Sequence, residues 1–151
     1  MGMDMRILPP HIFFAAILLT VAASFFFDSP APVPFPYDRV LGAAVFVMGA
    51  VATVSSASRF RVVKTNIIPY NDPNELVTSG WFRYSRNPMY LGMVCMLAGL
   101  ALGLGELLGY AVPPIFMILI DRTFIPMEEK AMQRVFGSPY DDYRRQVRRW
   151  I

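Results

Sequence analysis

The stretch Met89–Ile125 reads MYLGMVCMLAGLALGLGELLGYAVPPIFMILIDRTFI. Its charges are confined to Glu106 and the neighbours Asp121 and Arg122. A helix rises about 1.5 Å per residue and the hydrocarbon of a bilayer is about 30 Å thick, so this run holds two spans. They meet at Gly103-Leu104-Gly105-Glu106, almost without a loop, which requires an antiparallel hairpin of helices over 89–105 and 107–125. Gly99 and Gly103 stand four apart and allow another helix to approach closely. The same glycines do not have the spacing of a dinucleotide-binding fingerprint and follow no strand, so packing or a tight turn explains them.

Upstream, two further apolar segments cover 7–27 and 40–58. The chain has 151 residues, 55% hydrophobic and 17% charged, too apolar for an ordinary soluble domain of this size. The fold class is therefore all-α: one integral membrane domain of four transmembrane helices, followed by amphipathic, interfacial helices over 127–149. The first segment lacks a compact basic leader and an A-x-A cleavage site, and is read as a retained span. Asp28–Tyr37, DSPAPVPFPY, carries prolines that cannot continue a helix and connects spans one and two as an extended surface segment.

If both termini are cytoplasmic, all but Arg39 of the 14 lysines and arginines fall on the cytosolic side, as the positive-inside rule requires. The inner membrane of a prokaryote is the expected location. Basic residues that flank apolar spans point to lipid headgroups or an anionic ligand, and no nucleic-acid partner is expected. No polar ring runs through any span, which argues against a channel. Cys95 is the single cysteine and lies in an apolar run. With His11 also alone, the chain offers no metal site.

Polar chemistry gathers at the cytosolic boundary. In Gly80–Gly92, GWFRYSRNPMYLG, Asn87 is placed to cap the third span and Pro88 to take its first helical position. Free N–H groups in that first turn, with Arg83 and Arg86 beside them, make a site for a carboxylate or phosphate. After span four, Pro126 either begins a new helix or kinks the old one, and Glu128 and Glu129 follow in what reads as a first turn. Adjacent carboxylates at a membrane boundary need a cation, hydroxyls or water. Asp121 and Arg122 are expected to pair or reach the interface. Gly137 stops the helix, and Ser138, Pro139 and Asp141 form a capping-box-like start for the next. In that last helix Tyr140, Tyr143 and Val147 share one face and Arg144, Arg145 and Arg148 lie elsewhere, giving an amphipathic lid at the membrane surface.

From Thr65 to Ile151 the chain resembles the isoprenylcysteine carboxyl methyltransferase family, a relative of the membrane phospholipid methyltransferases. The matching features are Leu76-Val77-Thr78-Ser79-Gly80, Arg86-x-Pro88-x-Tyr90-x-Gly92, Glu128-Glu129, Phe136-Gly137, Tyr140-x-x-Tyr143 and Arg148-Arg149-Trp150. The resemblance implies a membrane-embedded enzyme that takes methyl from S-adenosylmethionine in a cytosol-facing pocket, with a lipophilic acceptor entering from the bilayer. Carried onto this sequence, cofactor binding falls to Arg86, Asn87, Pro88, Tyr90, Glu128, Glu129, Tyr140 and Tyr143. Arg83, Arg86 and Arg149 are the candidates for orienting the acceptor. The acceptor is open among a prenylated cysteine carboxylate, a lipid amine, a small thiol and a quinone-like lipid. The family usually has histidine where this chain has Asn87, which cannot act as a base. That departure sustains an alternative, a non-catalytic four-helix membrane protein that binds lipid or a protein partner.

Overall fold

The computed structural model describes residues 8–26, 33–63, 73–105 and 107–151. The expected ends of span one at Ile7 and Phe27, much of the proline-rich connection, the beginning of the family resemblance at Thr65 and the turn residue Glu106 lie outside them. The elements are α1 (Pro9–Phe26), α2 (Tyr37–Val62), a 3₁₀ turn (Gly80–Arg83), α3 (Pro88–Leu104), a second 3₁₀ turn (Leu108–Ala111), α4 (Val112–Phe136) and α5 (Ser138–Gln146). No strand occurs among the described residues. The protein is an all-α integral membrane protein. α1, α2 and the stretch Leu108–Phe136 are each long and apolar enough to cross a bilayer, and α3 is a shorter apolar helix.

The four long helices alternate in direction, so the start of α1, the end of α2, the start of α3 and the latter half of α4 share one end of the bundle. The core is built by α1, α3 and α4: Phe13 and Ala16 meet Tyr90, Met93, Met96 and Leu97 and a stripe on α4 from Val112 through Phe116, Ile120, Phe124 and Ile125. α2 joins in another way. Gly49 and Gly92 face one another, as do Gly42 and Gly99, and a Cβ on any of the four would strike the opposing backbone at about 2.5 Å. Backbones in direct contact fit the small-residue packing expected when lipid supplies no hydrophobic drive between helices. Thr53 Oγ1 seals the seam by donating to the Met89 carbonyl at 3.2 Å. Outside it, Val47, Met48, Val51 and Val54 are exposed, a surface suited to lipid.

Several boundaries differ from the sequence reading. α2 extends beyond 40–58 at both ends, because Asp38 in its first turn and Arg59 and Arg61 in its last complement the helix dipole. α4 begins at Val112, not 107. Pro113 sits in its first turn and the preceding residues tighten into the 3₁₀ turn. Pro126 starts no new helix: α4 passes through it to Phe136, so Glu128 and Glu129 lie in a helix interior. Neighbouring elements grip both carboxylates, and such tertiary contacts override the local cost of a missing N–H. Gly137 ends α4 as expected, at φ +57°, a backbone region that glycine enters without a Cβ clash. Ser138 is the first residue of α5 and not its cap, and Asp141 accepts from Gln133 Nε2 at 3.0 Å instead of closing a capping box. Val147 falls just outside α5, in extended backbone.

Candidate active site

At the shared end of the bundle a cavity holds about 160 Å³ for the centres of water-sized molecules. Its polar wall consists of Arg86, Asn87 and Tyr90 with Glu128 and Glu129, and Tyr140 and Tyr143 of α5 close it from outside. Pro9, Pro10, Phe60, Leu76, Val77, Phe82, Met93 and Met132 make the remaining wall largely apolar. Residues more than 35 positions apart thus meet because α3 and α4 are antiparallel neighbours and α5 folds back over them.

The adjacent glutamates have different surroundings. Glu129 is tied from both sides: Arg86 Nη2 lies 3.0 Å from Oε1, while Arg149 donates from Nε to Oε1 at 3.1 Å and from Nη2 to Oε2 at 2.5 Å. Arg149 extends the network to Asp121 at 3.2 Å, where Trp150 Nε1 also donates at 2.9 Å. Its hydrogen bond to Glu129 holds the Arg149 guanidinium above its ordinary range. Glu128 instead accepts from Tyr90 Oη at 2.6 Å and faces the cavity.

Arg86 is the least satisfied group. Its side chain is 11% exposed, yet Nε and Nη1 are buried without a hydrogen-bond partner. A guanidinium with two unpaired donors on a cavity wall is suited to an anionic group, because a buried charged donor left unpaired is costly. With Glu128, the tyrosine hydroxyl and two aromatic rings, the walls fit a ligand that combines a carboxylate, hydroxyl or ammonium groups and a flat ring.

Arg86, Asn87, Pro88, Tyr90, Glu128, Glu129, Tyr140 and Tyr143 all line this cavity. Two expected residues do not. Arg83 ends the 3₁₀ turn exposed to solvent, and Arg149 lies behind Glu129, outside the cavity lining. The reason is local: Arg83 belongs to a turn that buries Phe82, while the Arg149 guanidinium is held by Glu129 and Asp121. Asn87 stands at the start of α3 but makes no side-chain cap. Its Nδ2 donates to the Arg149 carbonyl at 3.0 Å, and its own N–H reaches Ser85 Oγ at 3.1 Å. Tyr143 Oη donates to the Phe82 carbonyl at 2.8 Å, fixing α5 over the site. Burial raises both α5 phenols, so they stay protonated as hydrogen-bond donors. Sequence reasoning missed Pro9 and Pro10, for which no local signal exists. The partnership of Asp121 with Arg149 and Trp150 was also missed, although an acid in an apolar run signals a buried partner.

A model of the phospholipid methyltransferase family matches residues 37–139. The chain belongs to that family. This membrane methyltransferase is also 35% identical to an uncharacterized protein of Haemophilus influenzae over 63 residues, which is 42% of this chain and the whole of the relative. No solved structure matches it. The family match covers α2 through the first residues of α5, and therefore Arg86 just before α3, Tyr90 on α3 and Glu128 and Glu129 on α4.

Proposed function

We propose that this membrane methyltransferase uses S-adenosylmethionine, bound in the cavity between Arg86 and Glu128, and methylates a lipophilic or small acceptor. An isoprenylcysteine-like carboxylate, a lipid or a thiol is the acceptor class we favour. The observation that carries the reading is the buried Arg86 guanidinium with Nε and Nη1 unpaired on the cavity wall. Arg86 would hold the methionyl carboxylate, Glu128 a ribose hydroxyl or the ammonium, and the Tyr140 and Tyr143 rings would lie beside the adenine. When bound, the sulfonium supplies an activated methyl group.

The chain's own contribution is alignment and exclusion of water. Tyr90 orients the Glu128 carboxylate, α5 closes the polar wall, and the apolar wall of Phe60, Leu76, Val77 and Met132 receives the oily part of the acceptor. Asn87 offers no base, and its side chain is spent on the tail of the chain. Displacement at a methyl carbon tolerates this, since a carboxylate or thiolate nucleophile needs no proton removed. For an acceptor that carries a proton, Glu128 is the carboxylate on the cavity wall able to take it.

The test is calorimetric binding of S-adenosylhomocysteine to protein purified in detergent, with transfer of labelled methyl to prenylcysteine, lipid-amine and thiol acceptors. Wild type should bind, and Arg86→Ala should weaken binding at least about tenfold, the value of a lost charged hydrogen bond. Equal affinity in the two proteins would remove this site.

A further inference from the structure

The last residues of the chain form a strap across the start of α3. The Arg148 carbonyl accepts from the Arg86 N–H at 3.0 Å, and the Arg149 carbonyl accepts from Asn87 Nδ2 at 3.0 Å and Ser85 Oγ at 3.3 Å. Trp150 pins the strap's far end by packing against the core and donating to Asp121. Its carbonyls therefore grip the three residues Ser85–Asn87, which lead into the cavity wall.

The Arg149 side chain does something further. Its fork takes both oxygens of Glu129, so Arg86 reaches that carboxylate through Nη2 alone. Arginine and carboxylate otherwise favour a two-point pair, which would draw a second Arg86 nitrogen onto Glu129. Arg149 is one-third exposed and lies outside the cavity lining, so its bearing on the cavity runs through Glu129.

We propose that Arg149 is a positioning residue: by saturating Glu129 it prevents Arg86 from closing a two-point pair and leaves Arg86 Nε and Nη1 free for the anionic end of the ligand. The inference rests on the cofactor reading above and adds a competition between two arginines for one carboxylate. No covalent step involves Arg149.

The experiment compares S-adenosylhomocysteine affinity and thermal stability of the full chain in detergent for wild type, Arg149→Ala, Arg149→Lys and Arg149→Ala combined with Glu129→Gln. Arg149→Ala should weaken binding about tenfold, because Arg86 is drawn onto Glu129. The double variant should recover at least about threefold of that loss, since a neutral amide captures Arg86 less strongly. A strap that merely anchors the C-terminus gives a double variant no better than Arg149→Ala, and that result overturns the proposal. If Arg149→Ala does not fold, Arg149→Lys decides. A lysine cannot occupy both oxygens as a fork, so affinity should fall about threefold at an unchanged melting temperature, and wild-type affinity would overturn the proposal. Failure of wild type to bind would instead sink the cofactor reading, and this inference with it.

Discussion

The seam between α2 and α3 and the polar end of the bundle hold the same helix α3 by opposite means. Along the seam, glycines let two backbones touch, and nothing charged takes part. At the other place, Arg86 and Tyr90 reach across to α4 through charged and hydrogen-bonded side chains, with room left between them. The contrast assigns rigidity and function to different neighbours of one helix: Gly92 packs on α2, while Tyr90, two residues before it, reaches α4. Close packing fixes where α3 lies, and the looser polar end can then keep a cavity whose groups are incompletely satisfied.

The strongest way to break that arrangement is to fill the seam. A Cβ at Gly92 would collide with Thr53 Oγ1 and with the Gly49 carbonyl, the latter at 2.5 Å, and backbone cannot move aside as a side chain can. Gly92→Leu should destabilise by more than about 3 kcal/mol and leave little folded protein, measured as monodisperse yield and melting temperature in detergent. Gly103→Ala is the matched control. Its Cβ would meet only the Gly42 Cα at 3.9 Å, an ordinary contact, so the variant should melt within about 1 kcal/mol of wild type.

At the polar end, the two glutamates separate stability from chemistry. Glu129 neutralises two guanidinium groups and is 14% exposed, so Glu129→Gln strands Arg86 and should cost about 2 to 4 kcal/mol, discounted because Arg149 is partly solvated and keeps Asp121. Glu128→Gln keeps an acceptor for Tyr90 Oη, so it should melt within about 1 kcal/mol of wild type. Its effect should fall on donor binding and so on labelled-methyl transfer, reduced at least about tenfold through the loss of a charged hydrogen bond. Equal melting losses in the two variants would abolish the distinction.

How far the sequence carries follows from the same contrast. Span existence is a matter of apolar length, so the all-α membrane fold was legible; of the two glycines read as allowing close packing, Gly99 faces the seam, while a Cβ at Gly103 would make only an ordinary contact. Arg86, Tyr90 and the acidic pair were also legible as a cluster, because polar groups cannot remain in hydrocarbon. The division of labour between Glu128 and Glu129 was not. Nothing local says that Arg149 turns back to claim one of them, since that depends on Trp150 finding Asp121 some 29 positions away. The continuation of α4 through Pro126 was hidden for a similar reason: helix rules are local, and the contacts that grip the residues after the proline come from α3 and the tail.

Two smaller changes on α5 probe how tightly the cavity is closed. Tyr143 is buried and donates to the Phe82 carbonyl, so Tyr143→Phe removes one neutral hydrogen bond and should cost about 1 kcal/mol, visible as a modest fall in melting temperature. The ring still fills its place, and ligand affinity should change less than it does in Arg86→Ala. On the opposite face Arg145 pairs with Asp142, three residues before it, but both side chains are well exposed. Such a pair gains little in water, so Arg145→Ala should leave melting temperature and ligand affinity unchanged within error. A measurable loss of affinity there would mean that the outer face of α5 bears on the cavity, and that the lid is held by its charges as well as by its buried tyrosines.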